Sequence, residues 1–118
     1  MSVCTYIASN VPLQEDPILW NLSRGGEDIL TDMRFVAQVD PGLEDMMPVL
    51  TYIFDHMKTA GEMEIWHIWQ GIDCKPVIRD RRISAKELTV GDIMELAGSN
   101  VFETIQYGIP VQHRITVV

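Results

Sequence analysis

The residues of this 118-residue chain with most capacity for chemistry are three histidines, His56, His67 and His113, and an arginine cluster, Arg79, Arg81 and Arg82. Imidazole titrates near neutrality and can act as a general base, a proton shuttle or a metal ligand. A guanidinium fork matches a carboxylate or a phosphate. A zinc site needs closely spaced ligands, such as two histidines four apart on a helix. The three histidines are scattered and no Cys-x-x-Cys accompanies them, so neither a metal nor a cofactor is expected. His67 and His113 each lie amid apolar residues in strand-like segments. The commoner role of such a histidine is semi-buried, satisfied by one hydrogen bond. The catalytic alternative is a cleft. His67 would be the base, oriented by Glu64, Asp80 or Glu103, with Arg79 and Arg81 holding an anionic ligand. His56 follows Asp55 on the outer side of a predicted helix and is expected to be solvated.

The remaining motifs say less. Arg24-Gly25-Gly26 lacks the spacing and the Lys-Ser/Thr of a phosphate loop and reads as a turn. Cys4 reads as a buried strand thiol and Cys74 as a surface cysteine in a turn beside Lys75, so no disulfide framework is expected. No Gly-x-Ser-x-Gly, His-Glu-x-x-His, dinucleotide or kinase signature is present. An enzyme is therefore not the first expectation.

Seventeen acidic and nine basic side chains give a net charge of −8. Residues 1–60 hold nine of the acids and three of the bases. This balance argues against nucleic acid and anionic membranes; it suits solubility, the commoner reading, and also a basic protein partner. No segment approaches the roughly 20 apolar residues that span a bilayer. The opening Met1-Ser2-Val3-Cys4-Thr5 has no basic region of a secretory signal. One cytoplasmic domain is the expectation for this length.

The elements that would position these groups follow from periodicity. Val3 to Ala8 reads as a strand, residues 18–22 as a short one and residues 35–40 as a clearer one. A helix follows, opened by Asp40-Pro41 or nearer Asp45, since Pro48 is discordant inside it. Its apolar stripe is Leu43, Met46, Met47, Leu50, Ile53, Phe54 and Met57, and Gly61 stops it. Residues 62–70 form a strand with a tryptophan on each face, Met63, Ile65, His67 and Trp69 against Glu64, Trp66, Ile68 and Gln70. A loop at 71–75 would return the chain as a hairpin over 76–83, setting Glu64 opposite Arg82 and His67 opposite Arg79. A second helix starts at Ser84 or Thr89, with Val90, Ile93, Met94 and Ala97 inward. Strands over 101–107 and 111–118 close the chain.

The segments Met1-Ser2-Val3-Cys4-Thr5-Tyr6-Ile7-Ala8-Ser9, Glu64-Ile65-Trp66-His67-Ile68-Trp69 and Glu87-Leu88-Thr89 resemble a group of small uncharacterised bacterial proteins. The resemblance implies a bacterial cytoplasmic domain and transfers no catalytic residue.

The expected fold is α+β, a mainly antiparallel sheet with two helices on one face, in an order compatible with a ferredoxin-like split β-α-β unit. The face opposite the helices then needs a cover. Either a second subunit docks on Trp66 and Ile68, making a homodimer, or residues 10–33 fold over it through Leu19, Trp20 and Leu22. The expected function is a non-catalytic interaction module, self-associating or bound to a basic protein. The alternative is a small-molecule or hydrolytic site at His67, Arg79 and Arg81.

Overall fold

Alternation at period two gives each strand two distinct faces, and six such strands make one sheet. The computed structural model describes residues 3–20, 29–70, 76–99, 101 and 110–118. Its elements are β1 (Val3–Ser9), β2 (Leu19–Trp20), β3 (Phe35–Val39), α1 (Met47–Ala60), β4 (Met63–Trp69), β5 (Val77–Ile83), α2 (Val90–Ala97) and β6 (Val111–Val117). The sheet order is β2-β3-β1-β4-β6-β5. Every pairing is antiparallel except β5 with β6, which is parallel. The architecture is α+β with both helices on one face. Leu22, the turn at 23–26, the loop at 71–75 with Cys74, and the strand expected over 101–107, apart from Val101, lie outside the described residues. No helix among the described residues is long and apolar enough to cross a membrane.

The helix-covered face presents Ile7, Ala37, Val39, Met63, Ile65, Ile115 and Val117. α1 packs on it with Val49, Leu50, Tyr52 and Ile53, and α2 with Ile93 and Leu96. α1 takes the later of its two expected starts. Asp40 instead closes a turn, accepting the Gly42 N–H at 2.8 Å, and Asp45 accepts the Met47 N–H at 2.9 Å. Pro48 stands in the first turn, where its missing N–H breaks no helical bond. Gly61 ends the helix at φ 72°, a conformation that favours glycine, and its N–H reaches the Met57 carbonyl at 3.1 Å.

The buried arc of α1 is rotated from the expected stripe. Met47 and Phe54 are exposed, at 50% and 39%, while Tyr52 and His56 are buried. Polar partners explain the rotation. The Tyr52 hydroxyl donates to the Gln14 carbonyl at 2.9 Å, and His56 lies 2.9 Å from the Ser9 hydroxyl. His56 is thus a buried residue rather than the solvated one expected.

α2 starts at Thr89, not Ser84. Thr89 Oγ1 accepts the Asp92 N–H at 3.2 Å and Asp92 returns the bond from the Thr89 N–H at 2.9 Å. Arg81 pairs with the same Asp92 at 3.0 Å. Leu96 is buried, and Met94, expected inward, is exposed. Thr89→Ala should lower stability by about 1 kcal/mol, the usual cost of losing such a cap. A urea midpoint matching the unmodified protein would show that α2 does not depend on it.

The opposite face holds a second core of Cys4, Tyr6, Ala8, Val36, Trp66 and Ile68, closed by Ile29 with Met33 at its margin. The cover therefore comes from the stretch before β3, not from Leu19 and Trp20. Leu19 packs on the helix side and Trp20 is exposed. Hydrogen bonds fasten this cover to the sheet. The Leu30 N–H reaches Gln112 Oε1 at 3.0 Å, and the Thr31 hydroxyl donates to Glu64 Oε1. The indole N–H of Trp66 donates to the same oxygen at 2.9 Å, and the Arg114 guanidinium lies 5.1 Å above the indole ring.

The hairpin expected between residues 62–70 and 76–83 does not form, because β6 lies between β4 and β5. The rows survive this insertion. Glu64, Thr116 and Arg82 lie in one row, and His67, His113 and Arg79 in another. β6 brings Val111, Ile115 and Val117 to the interior, whereas Arg79 to Arg82 are exposed. A charged strand is tolerated at an edge and not in the middle of a sheet. The observed order does not confirm a ferredoxin-like arrangement, in which β4 and β5 would be neighbours.

Candidate functional site

The sheet sets His67 and His113 side by side on the helix-covered face, with Arg79 beyond them. His67 is buried, its Nδ1 is 3.1 Å from the Thr5 hydroxyl, and a backbone hydrogen bond ties it to Ser99. Burial, and then the neighbouring charge of His113, lower its pKa to about 4 against the pull of the Ser99 bond. At neutral pH His67 is an uncharged imidazole held by Thr5 and Ser99.

Arg79 and Arg81 border an open cleft of about 170 Å³ between β5, β6 and α2, with Asp92, Glu95 and His113. His67 does not line it. Arg81 is paired with Asp92. Arg114 donates to Asp80 at 2.8 Å and lies 3.7 Å from Glu64. Burial alone would raise the Asp80 carboxyl. The hydrogen bonds from Arg114 and Thr116 and the charges of Arg114 and Arg82 outweigh it, so its pKa is lowered. Here arginine charge is largely balanced by carboxylates of the same chain. Trp66 and Ile68, expected as docking residues, are wholly enclosed by the second core.

The larger concavity, about 530 Å³, lies elsewhere, between residues 14–16 and the outer side of α1. Glu15, Asp16, Asp45 and Asp55 line it, and no lysine or arginine is among its lining residues. Its inner wall is Tyr52 and His56, whose rings are nearly parallel, 13° apart with centroids at 5.9 Å. The wall is built by helical spacing, since residues four apart share one face. The Tyr52–Gln14 bond fixes the 14–16 segment across from the helix. Exposed Met47 adds an apolar margin. The Asp55 carboxylate also meets Lys58 at 3.2 Å, a solvent-exposed pair of little energetic weight.

Sequence reasoning missed this groove. Its two sides are 30 and more residues apart, and nothing in the Gln14-Glu15-Asp16 stretch announces α1 as its neighbour. The available signal was the concentration of acids in residues 1–60. Among the described residues, no group of three or more His, Cys, Asp or Glu is arranged to hold a metal ion. No protein-family model, curated protein or solved structure matches this chain.

Proposed function

We propose that the chain is a non-catalytic interaction module of the cytoplasm that holds a basic segment of a partner protein in the α1 groove. The lining carries this reading, four carboxylates around one concavity with no cationic side chain among them. A concavity lined by one sign of charge focuses potential and speeds encounter with a ligand of the other sign, and the net charge of −8 reinforces it. Self-association would have to use a surface other than Trp66 and Ile68, which the chain itself encloses.

The test is titration with a hexalysine peptide at about 0.15 M salt, the physiological value. Saturable binding should appear and should disappear in a Glu15→Lys, Asp55→Lys variant that keeps its urea midpoint. Hexaglutamate should not bind. Equal binding by that variant, or no binding by the unmodified protein, would remove the groove as a basic-partner site.

A second reading, a small-molecule or hydrolytic site, is favoured by the alignment of His67, His113 and Arg79 in one row. It has less support, because His67 is buried and already held by Thr5 and Ser99.

A further inference from the structure

We infer that the α1 groove recognises a peptide main chain, with His56 donating a hydrogen bond to a carbonyl of the bound basic segment. The inference rests on the basic-partner reading and goes beyond it by naming what the groove distinguishes from any other polycation.

The argument starts at Ser9, which is wholly buried. Its hydroxyl oxygen accepts the Val11 N–H at 3.0 Å, so its own proton needs an acceptor. Among the described residues that acceptor is His56 Nε2, 2.9 Å away. A neutral imidazole that accepts at Nε2 carries its proton on Nδ1. His56 is 8% exposed and lines the groove. Among the described residues its Nδ1–H has no partner, and a buried donor left unsatisfied is costly.

No other buried polar group of the groove competes for this role; the Gln14 side-chain amide also donates, but it is exposed to water. The Tyr52 hydroxyl proton is held by the Gln14 carbonyl. The hydroxyl protons of Thr51 and Thr59 are held by the carbonyls of Met47 and His56, at 3.1 Å each. The carboxylates only accept. The wall therefore offers one nearly buried donor among acceptors. A ligand that satisfies both carries cations with a neutral acceptor between them. A lysine- or arginine-bearing peptide has that pattern, its main-chain carbonyl between charged side chains, and a polyamine lacks the carbonyl.

The experiment compares acetyl-tetralysine amide with spermine, which carries the same nominal charge. The peptide should bind about tenfold more tightly, the effect of one added hydrogen bond. The preference should vanish in His56→Phe, with spermine affinity unchanged. Because that variant also strips Ser9 of its partner and can fail to fold, a second readout uses the unmodified protein. The ring Nδ1–H signal of His56 should move on titration with the peptide and stay in place with spermine. Equal affinities, or a stationary signal, overturn the inference while leaving the basic-partner reading intact. If neither ligand binds, both fall together.

Discussion

Replacing Trp66 with alanine will cost about 3–5 kcal/mol of folding free energy, the range for emptying a packed aromatic site. Trp66 is fully enclosed between the sheet and the 29–33 cover. Its indole N–H satisfies Glu64, and its ring lies beneath Arg114. Truncation leaves a cavity, and it also leaves Glu64 short of one donor. Since a domain is typically stable by only 5–15 kcal/mol, urea unfolding should show a large drop in midpoint. Phe54→Ala, at a residue 39% exposed, is the internal control and should cost well under half as much. If Trp66→Ala instead left the midpoint in place and altered only the mass in solution, the residue would lie in an interface and not in a core.

Acidification from pH 6.5 to 4 will remove about 3 kcal/mol through His67 alone, at 1.36 kcal/mol per pKa unit. The folded pKa is lowered to about 4 from an ordinary 6.5, so the fold prefers the neutral ring. Its contribution is complete above 6.5, where folded and unfolded chains both hold a neutral imidazole. As pH falls below 6.5 the unfolded chain takes up a proton that the folded chain refuses, and stability falls until the folded ring titrates near 4. Asp80 and Asp92, whose carboxyls are lowered by their own partners, add losses that begin lower still. Urea midpoints across this window should slope steeply for the unmodified protein and be nearly flat for His67→Gln. A steep slope retained by His67→Gln would transfer the effect to another group.

Local structure was legible because its signals are local. Strand alternation located β1, β3, β4, β5 and β6 to within a residue or two, and Thr89 was one of two starts open for α2. The α+β class followed. Strand neighbours were not legible. Glu64 opposite Arg82 is good chemistry for a hairpin, and the same rows persist with Thr116 and His113 between them. Alternation at period two cannot tell a neighbour from a next-neighbour. Of the three α1 assignments that failed, Met47, Phe54 and His56, the last two share one cause. Hydrophobicity ranks Phe54 above His56 for burial, but Ser9 supplies the hydroxyl that lets an imidazole go inside, and that partner is 47 residues away. Of the named site residues, Arg79 and Arg81 border one cleft that His67 does not line, Trp66 and Ile68 became core, and the groove required the tertiary fold to be seen at all.

The place of β6 bears on how the chain reaches its fold during synthesis. β1 can pair first with β3, Tyr6 opposite Gln38, while its other edge waits for β4, where Val3 pairs with Trp69. β5 leaves the ribosome well before β6 yet has no other strand partner among the described residues. Until residues 111–117 emerge, β4 and β5 each present an unpaired edge, one apolar and one rich in arginine. The arginines discourage premature pairing with a neighbouring nascent chain. Such long-range closure makes for slow folding, in milliseconds to seconds rather than microseconds. The sheet is thus joined late, with β6 acting as the keystone between two strands that were made before it.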